Sequence, residues 1–273
     1  MGFKPKLAKL TGLSENILPS SYQIIGNVLL FKLPKVKKQS DKKKIAQGII
    51  KLLPYVKTVC EIQGVSGEFR KPTVKKLLGK STETIHKEHG ILYKLDTSKI
   101  MFSKGNLSER KRLLNQIKPG EVIVDMFAGI GYFSLSLAKF TKAKKIYSIE
   151  KNKTSFNYLQ ENIKLNKIHN IEPLHGDCRK TNLPEKTDRV LMGYFPGTDK
   201  FLPAAFGFLK DKGTIVYHNI FSKKELWDKP IKILEGAAKE TGFKLGKVLE
   251  KKLVKDYAPN VYHVVVDAEF SRY

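Results

Sequence analysis

The chain has 273 residues, of which 41% are hydrophobic and 28% charged, so it is long for one ordinary domain and we expect two. No apolar run approaches the ~18 residues of a membrane-spanning helix, and no apolar stretch follows the first lysines, which excludes a membrane protein and predicts no signal peptide. The two isolated cysteines, Cys60 and Cys178, suit neither a disulfide framework nor a zinc site, so we expect a cytoplasmic protein without a metal.

The first part of the chain, residues 1–104, mixes short β-rich runs with lysine clusters. We predict a strand at 21–34, a helix at 40–53, a strand at 57–67 and two or three further strands within 82–103. This part carries 21 basic and 7 acidic residues, and the whole chain has 51 Lys and Arg against 26 Asp and Glu. Such a surplus attracts a polyanion, usually nucleic acid, although lysine enrichment for solubility or heat resistance is the alternative. We therefore predict a small basic α+β domain that contacts RNA.

From residue 105 to residue 273, strands alternate with helices. The predicted helices and strands are, in chain order, helix 107–117, strand 121–129, helix 132–140, strand 145–152, helix 154–167, strands 170–178 and 188–194, helix 198–209, strand 213–221, helix 223–242 and strands 244–258 and 261–270. Strands joined by helices predict an α/β fold with a mostly parallel sheet, and the terminal pair of strands predicts one antiparallel edge strand.

The end of the first strand of this part carries a glycine turn. Asp125 is followed by Gly129 and Gly131 where the strand turns into a helix, and glycines there let the backbone approach a ligand closely. Glu150 ends the next strand and Asp177 the one after it. Because ligands of open α/β sheets bind along the carboxyl edge of the strands, we expect the three carboxylates to share one cleft.

The cofactor of such a cleft can be a dinucleotide or S-adenosylmethionine. A dinucleotide site requires G-x-G-x-x-G, and the third glycine is missing here. The pattern D-x-F-A-G-x-G instead resembles motif I of Rossmann-like methyltransferases, which bind S-adenosylmethionine. In such a site Glu150 would accept the ribose hydroxyls, Asp177 with Cys178 would face the adenine, and Asp125 or the adjacent turn would face the methionine end.

Three longer segments resemble one family of such enzymes. D-M-F-A-G-I-G-Y-F-S-L (125–135), K-K-I-Y-S-I-E (144–150) and Y-H-V-V-V-D (262–267) are similar to the archaeal and eukaryotic tRNA guanine-37 N1-methyltransferases. The segment M-F-S-K-G-N-L-S-E-R (101–110) resembles that family's linker between its two domains. The resemblance covers roughly residues 20–270 and implies a class I methyltransferase fold with tRNA as the partner.

One departure changes the activity that the resemblance implies. The methyltransferases carry an Asn-Leu-Pro tripeptide after the fourth strand, where this chain has Gly193, Tyr194 and Phe195. F-S-x-G-N (102–106) and M-G-Y (192–194) resemble the sister branch of wyosine-pathway enzymes. Those enzymes transfer the 3-amino-3-carboxypropyl group of S-adenosylmethionine to C7 of 4-demethylwyosine at position 37 of phenylalanine tRNA, beside the anticodon. Methyl transfer to guanine 37 or to the wyosine intermediate, and a catalytically silent tRNA-binding module, are the alternatives.

The resemblance also implies which side chains contact the cofactor. Arg110 would meet a carboxylate in a fork, with a helix-surface arginine as the alternative. Ser103 would contact the cofactor, with the cap of a turn as the alternative. Tyr194 would stack on the target base, with core packing as the alternative. His218 and His263 lie in apolar strands and are expected to be core histidines. The sequence identifies no general base and does not determine the oligomeric state, for which a monomer is the expectation. The cofactor contacts implied are Ser103, Arg110, Glu150, Asp177 and Cys178.

Overall fold

The computed structural model describes residues 2–102 and 107–273, and the chain divides into two compact units, Met1–Phe102 and Ser103–Tyr273. Each unit has its own hydrophobic core. Among the described helices, none is long and apolar enough to cross a lipid bilayer.

The first unit is a small α+β arrangement. Its elements are α1 (Phe3–Thr11), β1 (Tyr22–Ile25), β2 (Val28–Phe31), α2 (Gln39–Leu52), β3 (Thr58–Ser66), β4 (Lys71–Leu78), β5 (Glu83–Glu88) and β6 (Ile91–Asp96). The first four strands form a sheet in the order β1-β2-β3-β4, and β5 pairs with β6 separately. Helix α2 packs on strands β3 and β4 and α1 packs on α2, around a core that includes Leu7, Leu29, Ile45 and Ile49.

One prediction for this unit was wrong, and two of its elements were not predicted. The single strand predicted at 21–34 is two antiparallel strands, because Gly26 adopts a positive φ of 55° and reverses the chain. Helix α1 and strand β4 were missed. Strand β4 forms the edge of its sheet and exposes all three of its lysines, so its sequence lacks the apolar alternation that identifies a half-buried strand.

The second unit is a seven-stranded sheet covered by helices. Its elements are α3 (Leu107–Leu114), β7 (Val122–Asp125), α4 (Ser134–Phe140), β8 (Lys145–Glu150), α5 (Lys153–Leu165), β9 (Ile171–His175), β10 (Thr187–Met192), α6 (Leu202–Phe208), β11 (Leu209–Ser222), α7 (Asp228–Glu240), β12 (Phe243–Ala258) and β13 (Val261–Arg272). The strand order is β12-β13-β11-β10-β7-β8-β9.

Pairing within this sheet confirms the predicted fold class. The strands from β11 through β10, β7 and β8 to β9 are parallel, and β13 runs antiparallel between β11 and β12. The antiparallel strand β13 therefore lies one position inside the sheet, and the other strand of the terminal hairpin, β12, forms the edge. The reversal comes between β12 and β13, where Asn260 has a positive φ of 56°.

Backbone hydrogen bonds gather the carboxyl ends of four neighbouring strands. The amide of Met126 donates to the carbonyl of Leu191 at 3.0 Å, and the amide of Ala128 donates to the carbonyl of Ile149 at 2.9 Å. The amide of Gly176 donates to the carbonyl of Glu150 at 3.1 Å. The loops that follow β10, β7, β8 and β9 therefore form one continuous rim along the sheet.

Candidate active site

The glycine turn after β7 requires glycine at two positions. Gly129 and Gly131 have φ values of 59° and 97°, which side chains with a Cβ rarely adopt. A Cβ at Gly131 would lie 2.6 Å from Cγ of Leu135, and one at Gly129 would lie 2.7 Å from the ring of Tyr132. Both positions therefore require glycine, because of the backbone conformation and because Tyr132 and Leu135 fill the space of a Cβ. The close approach of a ligand to this turn remains a prediction.

Replacing Gly131 with alanine should lower the free energy of unfolding by about 1–3 kcal/mol, because alanine must hold a strained backbone and displace Leu135. Gly236, in the middle of α7, has no atom within 4 Å of a Cβ placed there and is the matched control. Its replacement by alanine should stabilise the protein by about 0.5–1 kcal/mol. Urea denaturation measures both changes, and equal effects at the two positions would contradict the role of the turn.

Asp125 holds this turn together from inside. Its side chain is fully buried, Ser134 donates a hydrogen bond to Oδ2 at 2.7 Å, and the amide of Phe127 donates to Oδ1 at 3.3 Å. Burial raises the pKa of this carboxyl to about 6, against the opposing effect of those hydrogen bonds. The carboxylate thus shapes the turn, and its predicted contact with the methionine end remains a prediction.

The raised pKa of Asp125 predicts a pH dependence of stability. The carboxyl binds a proton more tightly in the folded protein than in the unfolded chain, where its pKa is 3.8. Its stabilising contribution is therefore largest below pH 4 and is lost as the pH rises to about 6. Between these limits the stability of the wild type relative to Asp125→Asn should fall by about 3 kcal/mol. Chemical denaturation of both proteins across this range measures the difference, and a constant difference would contradict the assignment.

Glu150 joins the glycine turn to the loop after β8. Its Oε2 accepts from the amide of Gly129 at 2.7 Å, and its Oε1 accepts from the amide of Asn152 at 2.6 Å. Burial raises the pKa of Glu150, and the charge of Asp125 acts in the same direction. A carboxylate has about four acceptor positions, so both oxygens keep capacity for a pair of ligand hydroxyls.

Asp177 lies on the rim beside Glu150 but in a different electrostatic setting. Arg179 donates to its two oxygens at 2.9 and 2.6 Å, and Nζ of Lys151 lies 3.5 Å away. The hydrogen bonds from Arg179 hold the pKa of Asp177 well below its usual range. Arg179 was not predicted from the sequence to be part of the site. The signal that could have indicated it is its position two residues after an acidic residue at a strand end.

Cys178, next in the chain, is buried, and burial raises the pKa of its thiol to about 12. The thiol is therefore neutral and serves as a small packing group. It lines a cavity of about 450 Å³ between the loop at 178–186 and α6, within the size range of small-molecule sites. Other residues lining this cavity include Arg179, Leu183, Glu185, Ala204 and Phe208.

Arg110, on α3, lies beside Tyr132 of the glycine turn. Its side chain is buried, and its guanidinium carbon lies 5.2 Å from the ring centroid of Tyr132. It is therefore not a helix-surface arginine. The other predicted contact in this segment, Ser103, lies outside the described residues.

Three aromatic rings line the rim between β7 and β10. Tyr194 stacks on Phe127 with ring centroids 5.0 Å apart and an interplanar angle of 23°, and Phe201 meets both rings edge-on. The guanidinium of Arg179 lies 4.9 Å from the ring centroid of Phe201. All three rings are half-buried, so the cluster presents aromatic surface at the rim.

Two histidines support the loop that carries Tyr194. His218 and His263 are buried, and Nδ1 of His218 lies 3.0 Å from Nε2 of His263. The ring of Phe195 packs on His263 with centroids 3.9 Å apart. Burial lowers the pKa of His218 to about 3, so it stays neutral, in line with the core role expected from the sequence.

Six of the predicted positions lie along the carboxyl ends of the strands. Asp125 and Glu150 end β7 and β8, and Asp177 follows the adjacent strand β9. Gly129, Cys178 and Tyr194 flank these carboxylates. In the described part of the chain, no three His, Cys, Asp or Glu side chains gather closely enough to hold a metal ion.

Comparison with known proteins assigns the family. The TRM5/TYW2 methyltransferase domain matches residues 84–246, and the TYW2 N-terminal domain matches residues 8–82. The chain belongs to the TRM5/TYW2 family. It is 48% identical to the tRNA(Phe) (4-demethylwyosine(37)-C(7)) aminocarboxypropyltransferase of Methanocaldococcus jannaschii, over 92% of this chain and 98% of that one. The resemblance identified from the sequence motifs is thereby confirmed.

Two solved structures of this family share the fold and carry ligands. One is M. jannaschii TYW2 in complex with AdoMet, with a TM-score of 0.77, 43% identity and coverage of 93% of this chain and 100% of that one. The other is Pyrococcus horikoshii TYW2 in complex with MeSAdo, with a TM-score of 0.86, 37% identity and coverage of 99% and 100%.

The rim of this chain fits S-adenosylmethionine. Its glycine turn has positive φ at Gly129 and Gly131, a backbone conformation that residues with a Cβ rarely adopt. Glu150 offers acceptors for a ribose diol, and Arg110 adds a guanidinium beside the turn, which suits a carboxylate.

Proposed function

We propose that this protein transfers the 3-amino-3-carboxypropyl group of S-adenosylmethionine to C7 of 4-demethylwyosine at position 37 of phenylalanine tRNA, with release of methylthioadenosine. The observation that carries the proposal is the 48% identity, over nearly the whole of both chains, to an enzyme named for this reaction. The MeSAdo in a related structure supports it, because methylthioadenosine is what remains of the donor after this transfer.

In this proposal, different residues of the rim bind different parts of the donor. Glu150 accepts the ribose hydroxyls, and Asp177 faces the adenine together with Cys178, which lines the cavity described above. Arg110 pairs with the methionine carboxylate, and Ser103 contacts the donor, as the resemblance implies. The roles of Glu150 and Asp177 are supported by the order of β8 and β9 in the sheet, and the role of Arg110 by its place beside Tyr132.

The transferred group depends on which carbon faces the base. The bound donor supplies three electrophilic carbons on one sulfonium, and the carbon held in line with the nucleophile reacts. In the proposed reaction a bond forms between C7 and the γ-carbon, the bond from that carbon to sulfur breaks, and C7 loses its proton to solvent. In this proposal Tyr194 stacks on the base and holds C7 in line, and its stacking on Phe127 at the rim supports that role.

The mass added to the tRNA nucleoside tests the proposal. The purified protein is incubated with S-adenosylmethionine and phenylalanine tRNA that carries 4-demethylwyosine, and the digested nucleosides are analysed by mass spectrometry. We expect the mass gain of an aminocarboxypropyl group together with methylthioadenosine. A methyl gain with S-adenosylhomocysteine would establish the alternative, a methyltransferase, and no mass gain at all would indicate a tRNA-binding module.

The basic first unit is proposed to bind the tRNA near its anticodon. Strand β4 exposes Lys71, Lys75 and Lys76 along one edge of its sheet, where a phosphate backbone can be followed. Neutralising all three should make the dependence of log K on log salt shallower, by about 0.7–0.9 for each phosphate that the protein no longer neutralises. Filter binding at several salt concentrations measures the slope, and donor affinity is the control because it should not change. A tRNA affinity independent of salt would contradict this role.

Three further expectations accompany the proposed function. We propose domains at residues 1–104 and 105–273, which the two compact units support to within two residues, a monomer in solution and a cytoplasmic location. The archaeal sources of the two relatives compared above support an archaeal origin. Light scattering after size-exclusion chromatography measures the oligomeric state directly.

A further inference from the structure

A buried ionic network lies on the face of the sheet that α3 covers. Asp267, on β13, is fully buried opposite Val216, and Arg112 donates to both of its oxygens, with Nη2 to Oδ1 at 3.2 Å. Nε of Arg112 donates to Glu109 at 2.9 Å, and Lys252 lies 2.9 Å from the other oxygen of Glu109. Two links thus tie α3 to the terminal hairpin, from Arg112 to Asp267 and from Glu109 to Lys252, and both carboxylates are fully buried.

Burying charges in this way is costly and needs a geometric reason. Apolar residues of similar volume often stabilise a core as well as a buried ion pair does, whereas a fork of directed hydrogen bonds fixes one arrangement. Burial lowers the pKa of Arg112, but the hydrogen bonds and charge of Asp267 and Glu109 outweigh it and raise that pKa. The network therefore holds its charged form in one orientation.

Helix α3 depends on this network for its position. It has only eight residues, and helices of fewer than about 12–15 residues are marginal without tertiary contacts. Among the side chains described in this helix, Leu113 is its one fully buried apolar group. The ion pairs of Glu109 and Arg112 therefore supply much of what sets the rotation of the helix about its axis.

Arg110 belongs to the same helical turn but faces elsewhere. At about 100° per residue, it lies about 100° from Glu109 and about 160° from Arg112 around the helix axis. With those two side chains bonded to the terminal hairpin, the guanidinium of Arg110 lies 5.2 Å from the ring of Tyr132, in the glycine turn. A rotation of α3 would withdraw Arg110 from that turn.

We propose that Asp267 and Arg112 are positioning residues, which fix the rotation of α3 so that Arg110 meets the methionine carboxylate of the donor. The inference rests on the proposed role of Arg110 in donor binding. The new element is that donor binding by Arg110 depends on Asp267, which lies 157 positions later in the chain.

The test compares two ligands that differ in the carboxylate. Calorimetry of the full chain with S-adenosylmethionine and with methylthioadenosine measures both affinities, and methylthioadenosine has no carboxylate for Arg110 to bind. Asp267→Asn should weaken S-adenosylmethionine binding about 10-fold and leave methylthioadenosine binding unchanged. Arg112→Lys, which keeps the charge but loses the fork, should produce the same selective loss to a smaller extent and serves if the first variant does not fold.

Glu121→Gln is the matched control. Glu121 precedes β7 and pairs with buried Arg189 at 2.9 Å, so the variant breaks a comparable ion pair in the same unit at the other end of the strands. It should lower thermal stability without separating the two ligand affinities. A selective loss of S-adenosylmethionine binding in Glu121→Gln as well would overturn the inference, because destabilisation alone would then account for the effect.

A double-mutant cycle separates the inference from the proposed function. If Asp267 acts through Arg110, Asp267→Asn should cause no further loss of S-adenosylmethionine affinity in an Arg110→Ala background. A full additional loss there, or an equal loss for both ligands, would overturn the positioning role while leaving the function intact. An unchanged affinity in Arg110→Ala alone would instead remove Arg110 from the donor site.

Discussion

Glu150→Ala is expected to weaken S-adenosylmethionine binding about 100-fold. The substitution removes the proposed acceptor of two ribose hydroxyls, and hydrogen bonds to a charged group contribute about 1.5–3 kcal/mol each when one partner is lost. It also releases the amides of Gly129 and Asn152, which the carboxylate holds at 2.7 and 2.6 Å. Calorimetry with the purified protein measures the change.

Glu172→Ala provides the control for this variant. Glu172 lies on β9, the strand next to β8, and pairs with Lys145 at 2.5 Å with both side chains well exposed. Its loss should leave donor affinity unchanged, because it faces solvent away from the rim. Similar affinities for the wild type and Glu150→Ala would show that Glu150 does not hold the donor.

Asp267→Ala is expected to lower the free energy of unfolding by about 3–5 kcal/mol, which is a large fraction of the stability of most domains. The variant leaves the guanidinium of Arg112, whose side chain is only 11% exposed, without the carboxylate that accepts two of its hydrogen bonds. Guanidinium chloride denaturation measures the change. Because the site of this carboxylate is fully buried, neither water nor salt replaces it.

Lys145→Met is the comparison for that measurement. It breaks an ion pair whose two members are 37% and 40% exposed, so solvent replaces most of what is lost and the stability should hardly change. Equal destabilisation by the two variants would mean that burial does not control how much these ion pairs stabilise the fold. It would contradict the large contribution expected of the pair between Asp267 and Arg112.

Several features of the site followed from sequence because each depends on local chemistry. The glycines at 129 and 131 were predicted for a turn against a ligand, and they have the positive φ values that such a turn demands. The acidic ends of three successive strands were predicted to share one edge, and parallel pairing of β7, β8 and β9 brings these strand ends together. Parallel topology alone makes that prediction possible.

Other features were invisible in the sequence because they join distant segments. Nothing in the run V-V-V-D-A-E-F indicates that Asp267 pairs with Arg112, and nothing near His218 indicates a contact with His263, 45 residues away. The lysine-rich edge strand β4 was missed for a related reason. Its conformation is set by pairing with β3 and not by a hydrophobic pattern of its own.

The amino-acid sequence by itself determined the alternation of strands and helices, the glycine turn, the acidic strand ends and the tripeptide that separates this chain from its methyltransferase relatives. Only the tertiary structure decided that Arg110 is buried beside the turn, that Asp125 is enclosed within it, and that Tyr194 stacks on Phe127. Backbone preference and strand polarity act over a few residues and can be read locally. Burial and the pairing of charges depend on which distant segments pack together, so they exist only in the folded chain.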